Sequence, residues 1–203
     1  MAIYLDHAAT SPLRPEVLEA MLPYLSEHHG NPSSIHASGR RARQGLDEAR
    51  EEIAALLGAK AREIVFTGGG TESDNLAVKG VAWAASARGR HIITSSVEHK
   101  AIMNACAVLE RQGFAITRLP VDRYGRIDPA ELAAAITDHT ILVSVMSANN
   151  EVGTLQPVAE IGAICRERGV AFHTDAIQSA AFEPPTPNAW QATLVSLSAH
   201  KLG

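Results

Sequence analysis

Hydrophobic and polar positions along this chain follow two alternating rhythms. Short, nearly continuous apolar runs rich in β-branched residues recur at 63–67 (EIVFT), 91–95 (HIITS), 115–119 (AITRL), 140–146 (TILVSVM), 170–174 (VAFHT) and 193–197 (TLVSL). Each has the length and composition of a buried strand. Between the runs, apolar residues return every three or four positions, as helices require. One stripe passes through Ala42, Leu46, Ala49, Ile53 and Leu56 and is stopped by Gly58. Another helix is expected to begin where Pro15 precedes Glu16, because proline suits the first helical position. Apolar strands alternating with helices predict a mostly parallel sheet with helices on both faces, so the expected fold class is α/β. The proline-rich stretch at 182–190 (FEPPTPNAW) reads as a loop, and no repeat, low-complexity tract or flexible linker interrupts the pattern.

Composition adds little to that picture. The 203 residues are 46% hydrophobic, 20% charged and only 4% aromatic, as an ordinary globular protein would be. A net charge of −4 gives no electrostatic case for nucleic acid. Arg40, Arg41 and Arg43 sit near Asp47 and Glu48, which reads as a solvated helix face. No apolar run approaches the ~20 residues a membrane span needs, and MAIYLDHAAT lacks the pattern of a secretory signal. The expected location is cytoplasmic. Cys106 and Cys165 make neither a disulfide framework nor a CxxC site, and both continue apolar helical stripes.

The residues that could carry chemistry gather just after the strands, where α/β sheets bind ligands. Gly68, Gly69, Gly70 and Thr71 open a helix after the first run, an arrangement that lets amide groups meet an anion. A plain strand-to-helix turn with a threonine cap accounts for them equally. His99 follows the second run, as a proton carrier or as the cap of the next helix. Asn149 and Asn150 follow the fourth, offering amide donors or simply a turn. Asp175 ends the fifth, with Gln178 three residues on. A buried acid there needs a cation or strong donors. His173 and Asp175 share a strand face, but no third ligand completes a metal site, so no metal is expected. Ser198, His200 and Lys201 follow the sixth run, where a desolvated lysine amine could bond a carbonyl carbon, although an ordinary exposed lysine accounts for Lys201 taken alone. Together these residues make the set that pyridoxal phosphate requires: an anion cradle, an acid for the ring nitrogen, a group to stack on the ring and a lysine.

The segments YLDHAATSPLRPEVLEAM, GNPSSIHASGRRAR, IVFTGGGTESDNLA, SSVEHKAI, NNEVGTLQP, HTDAIQSA and SLSAHKLG resemble the cysteine desulfurases of iron–sulfur cluster assembly, in the class V aminotransferase group. The likeness runs along essentially the whole chain. It implies a partial large domain of the fold type I transferases that use pyridoxal 5'-phosphate. It also implies that L-cysteine is converted to alanine while sulfur passes to an enzyme thiol as a persulfide. On the resemblance, Lys201 holds the cofactor and moves the substrate α-proton, Asp175 pairs with the ring nitrogen, and Gln178 bonds the ring hydroxyl. His99 stacks on the ring and assists proton transfers. Gly70, Thr71, Ser198 and His200 hold the phosphate, and Asn149 lies near the ring hydroxyl and substrate carboxylate. A homodimer and a sulfur-accepting or scaffold protein are implied as partners.

The same resemblance predicts an N-terminal arm over 1–15 and an incomplete cofactor-binding domain over 16–203. The family's nucleophilic cysteine, its carboxylate-anchoring arginine and its small C-terminal domain have no counterpart in these residues. Turnover of cysteine by this chain alone is therefore not expected. Poor stability is, because a strand returning between the first and sixth runs would be missing. An aminotransferase, kynureninase or selenocysteine lyase of the same group remains open, as does a non-catalytic half that binds partners. A nicotinamide-binding domain is disfavoured by the absence of GxGxxG.

Overall fold

The structure, a computed structural model, describes residues 3–203. It contains two compact units, one ending at Phe66 and including Gly203, the other Thr67–Leu202. In the first, helix α1 (Pro15–Ser26) begins at Pro15 as the sequence predicts. Helix α2 (Ala37–Leu57) starts where the His36 ring accepts a bond from the Gly39 amide, and ends on Gly58 at φ 63°. The apolar stripe of α2 differs from expectation at two positions, Ala49, which is exposed, and Leu56. Ala54 is buried and Leu46, Ile53 and Leu57 are half-buried, whereas Leu56 is 84% exposed. At 3.6 residues per turn the line from Leu46 runs through Ile53 to Leu57, so Leu56 faces away. The solvated face is as expected: Asp47 receives Arg43 and Arg50, each at 2.7 Å.

One anticipated strand is absent. Residues 64–67 follow a short 3₁₀ turn (Ala61–Glu63) but pair with no other strand among the described residues. Val65 and Phe66 remain exposed, the latter under the Arg50 guanidinium at 5.2 Å. A β-branched run becomes a strand only when a neighbour takes up its backbone hydrogen bonds.

The second unit holds the sheet. Its elements run α3 (Gly70–Ala84), β1 (His91–Ser95), α4 (Lys100–Arg111), β2 (Ala115–Leu119), α5 (Pro129–Ala135), β3 (Thr140–Ser144), α6 (Val158–Glu167), β4 (Ala171–Asp175) and β5 (Leu194–Ser196). A 3₁₀ turn, Ala199–Lys201, follows. Five of the six expected strands are therefore present, β3 and β5 each two residues shorter than their apolar runs and β4 shifted by one residue. They lie in the order β2-β1-β3-β4-β5, and every pair is parallel.

Neighbouring residues on a strand point to opposite faces, and here both faces are covered. Ile92 and Leu142 pack with Val78 and Ala82 of α3 and with Ile102, Cys106 and Leu109 of α4. Ile93, Val143 and Phe172 pack with Leu132 of α5, Ile161 and Cys165 of α6, and Trp190. The 182–190 stretch is irregular, as expected, and is held tightly at its end. A Cβ on Gly162 of α6 would overlap the Trp190 carbonyl, so the helix and this loop touch backbone to backbone.

At the other edge, His91 bridges β1 to both neighbours, with its ring nitrogens 2.8 Å from the Thr140 and Thr117 hydroxyls. Cys106 and Cys165 are fully buried, and burial pushes their thiols up to about 11 and about 12. At neutral pH both are protonated and enclosed, hence unreactive.

Candidate cofactor site

In the sheet the chain steps from β1 outward to β2 and then back past β1 to β3. A reversal of this kind leaves a crevice at the carboxyl ends of the strands. The sequence-predicted residues fall on the loops around it.

The glycine loop folds against the loops that leave β4 and β5. Gly70 lies so close to the Ile177 side chain and to Ser198 Cβ that a methyl group would collide with Ile177. The glycine loop and the loop after β5 together line a cavity of about 570 Å³, formed by Gly68–Thr71, Glu72, Asn75, Ser198 and His200. The first amides of α3 open here, and the Thr71 carbonyl is fixed by the Asn75 amide at 2.8 Å. Backbone N–H groups, two hydroxyls and an imidazole around a hollow suit a phosphate. Gly70, Thr71, Ser198 and His200 are thus brought around one hollow.

Asp175 ends β4 almost completely buried, and Oδ1 accepts a bond from the Ile177 amide at 2.9 Å. Burial raises its affinity for a proton. The Ile177 bond, the charges of His99 and Lys201, and the neighbouring Asp74 act the other way. Asp175, His99 and Lys201 therefore share one electrostatic neighbourhood. His99 is the N-cap of α4, its Nδ1 accepting from the Ala101 amide at 3.2 Å, and the ring is exposed. The two readings of His99 are thus compatible: one nitrogen caps the helix while the face of the ring stays open. Lys201 is half-buried, with its amide bonded to the Ser198 carbonyl at 3.2 Å.

Asn149 serves as a turn organiser. Its Oδ1 accepts the Glu151 and Val152 amides at 2.9 and 3.0 Å, and its Nδ2 donates to the Val97 carbonyl at 3.0 Å. This ties the loop after β3 to the one carrying His99. Gln178 is half-buried beyond β4, and its side-chain amide has no hydrogen-bond partner among the described residues. His173 is engaged elsewhere than in metal ligation: its nitrogens meet the Ser144 hydroxyl at 2.9 Å and the Ser196 hydroxyl at 3.0 Å. Burial lowers it to about 4, so it is neutral at physiological pH.

Sequence reasoning missed two acids. Glu98 is buried between β1 and β3, receiving the Ser95 hydroxyl at 2.5 Å and the Met146 amide at 3.0 and 3.1 Å. Burial raises it to about 8, against the pull of those two bonds. Asp74 is fully enclosed on the inner face of α3. It too is raised to about 8, by burial first and by the Asp175 charge second. A helical phase shared with Ala77, Val78 and Val81 was the available signal for Asp74. Nothing local marked Glu98.

Glu98→Ala is expected to cost about 2–3 kcal/mol, since it strands the Met146 amide and the Ser95 hydroxyl in the interior. Urea denaturation measures this, and an unchanged midpoint would contradict the role.

The pH dependence of stability also follows. Between pH 6.5 and 8 the folded state keeps protons on Asp74 and Glu98 that the unfolded chain, with values of 3.8 and 4.5, has already released. Their stabilisation is complete below about pH 4 and is lost as pH rises towards 8. His173 acts in the opposite sense, but only below its ordinary 6.5. Denaturation midpoints should therefore fall steadily from pH 6.5 to 8; a rise over that interval would refute the assignment.

Comparison with known proteins agrees with the geometry. A family profile described as aminotransferase class-V matches residues 3–203. The chain is 54% identical over 199 residues to cysteine desulfurase IscS of Dictyoglomus turgidum, covering 98% of itself and 50% of that protein. It is 50% identical over 201 residues to the cysteine desulfurase of Mus musculus, covering 98% of itself and 44% of the relative. A solved NifS-like protein superposes with a TM-score of 0.95 at 38% identity, over 99% of this chain and 56% of that one. A structure described as SspA in complex with cysteine gives 0.93 at 41% identity, over 98% and 57%. The chain spans about half the length of the curated relatives it matches.

Proposed function

This chain belongs to the aminotransferase class V family, and from that premise we propose that it forms the cofactor-binding part of a cysteine desulfurase dependent on pyridoxal 5'-phosphate. The observation that carries the proposal is the convergence on one crevice of a buried carboxylate within reach of a lysine and a histidine, beside a glycine-walled cavity of phosphate-binding character. The residues fit the cofactor. Thr71, Ser198, His200 and the first amides of α3 would hold its phosphate, and Gly70 keeps that wall open. Asp175 would keep the proton on the ring nitrogen, His99 would cover the ring, and Gln178 and Asn149 would address the ring hydroxyl and substrate carboxylate. Lys201 Nζ would hold the cofactor and take the α-proton from L-cysteine.

When bound, the cofactor supplies an electron sink that weakens the bonds at the substrate α-carbon. L-cysteine and an accepting thiol then give alanine and a persulfide, the sulfur leaving the substrate β-carbon for the thiol. Neither Cys106 nor Cys165 can be that thiol, because both are buried and protonated. The acceptor is a cysteine outside these 203 residues, and supply of sulfur to iron–sulfur cluster assembly is part of the proposal. A cytoplasmic homodimer with a sulfur-accepting or scaffold protein, and a domain division into an arm over 1–15 and a cofactor-binding body over 16–203, complete it.

The test is to incubate the purified protein with pyridoxal phosphate, reduce with borohydride and map the peptides. The cofactor's mass is expected on the peptide containing Lys201, and its absence there would defeat the reading. Formation of alanine from L-cysteine with an added thiol tests the reaction itself.

A further inference from the structure

Asp74 is fully buried, yet neither of its carboxyl oxygens receives a hydrogen bond from any donor. The donors around it are committed elsewhere. Ser144, His173, Ser196 and Ser73 form a continuous chain with successive separations of 2.9, 3.0 and 2.9 Å. His173 Nε2, at 3.8 Å from Asp74 Oδ1, already faces the Ser196 hydroxyl and carries no charge to offer. The remaining close partner is another acid, Asp175. Two carboxylates cannot bond each other, but a carboxylic acid can donate to a carboxylate. An interior acid without donors, set against an acid that faces Lys201 and His99, is satisfied by keeping its proton and donating it in a hydrogen bond to the neighbour.

We propose that Asp74 is a positioning residue that acts through Asp175: its protonated carboxyl donates a hydrogen bond to the Asp175 carboxylate, fixing that group's orientation and tempering its basicity towards the coenzyme ring nitrogen. The proposal rests on the pyridoxal phosphate reading above. The groups facing the pair come from every packed element: His173 on β4, Ser196 on β5, Glu98 and His99 beyond β1, and Lys201 beyond β5. Lys201 draws negative charge to Asp175, and Glu98, raised to about 8, adds little repulsion at neutral pH and below. Burial raises both acids, but the bond from Ile177 and the charge of Lys201 act on Asp175, so of the two it is Asp74 that keeps the proton in the proposed pair.

Two variants separate positioning from packing. Asp74→Asn retains a donor of the same shape but cannot titrate; Asp74→Leu removes the donor at similar volume. In cofactor-free protein labelled with carbon-13 at aspartate carboxyls, one wild-type resonance is expected to stay protonated at pH 6.5 and to titrate as pH approaches 8, and to vanish in Asp74→Asn. If every aspartate resonance finishes titrating below pH 6, the proposal is overturned. This arm needs no coenzyme, so it decides the carboxyl pair even if wild-type protein fails to bind pyridoxal phosphate, a result that would count against the functional reading instead. In loaded protein, Asp74→Leu should lower kcat about 10- to 100-fold with KM little changed, the usual cost of losing a partner that orients a reactive group. Asp74→Asn should stay close to wild type at pH 7 and lose the alkaline limb of the pH profile. Equal kcat and identical pH profiles in wild type and both variants would reduce Asp74 to a packing residue and overturn the proposal.

Discussion

Lys201→Ala is expected to leave the sheet intact and to abolish covalent retention of pyridoxal phosphate. Lys201 lies in a 3₁₀ turn held by backbone bonds, the Lys201 amide to Ser198 and the Leu202 amide to Ala199, at 3.2 and 2.8 Å, and alanine preserves both. The turn should therefore persist and the phosphate cavity with it, since that is lined by Ser198 and His200 and not by the lysine. Cofactor should still associate reversibly, because the hollow that would hold its phosphate is unchanged. Removing the amine proposed to move the α-proton should cost about 100- to 10,000-fold from proton transfer alone, and loss of the covalent attachment should add to that. Alanine production from L-cysteine should drop by at least this factor, with no mass increase after borohydride. Retention of the reduced cofactor on another residue would show that a different amine does the work.

Asp175→Asn is expected to separate activity from stability. The acid is nearly enclosed and lies against a second buried acid, so its charge is carried at a cost to the fold. An amide removes that charge, and its oxygen can still accept the Ile177 amide bond and the proposed bond from Asp74. The cofactor-free variant should melt a few degrees higher than wild type. Activity should fall about 100- to 1,000-fold, the scale of losing one preorganised electrostatic contact, because a neutral amide cannot keep the ring nitrogen protonated. The combination is diagnostic, for a residue of purely structural value would lose stability when replaced. A lower melting temperature with undiminished turnover would reverse the assignment.

These expectations show where the sequence was legible. The runs at 91–95 and 115–119 became β1 and β2 with their bounds unchanged, because β-branched residues follow a glycine in each, Gly89 before β1 and Gly113, at φ 84°, before β2. The run at 63–67 was equally strand-like, yet strand formation depends on a neighbour that local composition does not specify. The glycine loop, Asp175 and the Ser198–Lys201 group were readable because unusual residues followed apolar runs. Their convergence was not readable from spacing, and needed the strand order. Glu98 was illegible for the same reason: its partner, the Met146 amide, lies 48 residues away. Asp74 shared the phase of an apolar helix face, which foretold an inward direction but not an acidic companion.

The backbone contact between Gly162 and Trp190 has a consequence for how this protein can vary. Trp190 precedes β5 by four residues, and β5 carries Ser198, His200 and Lys201 at its far end. A methyl group at position 162, on the buried side of α6, would press on the segment that leads into β5 and the lysine beyond it. Natural drift and laboratory evolution should both find that position closed, although it touches no reactant. Its neighbours along α6 that face solvent, such as Glu160 and Arg166, remain free to change.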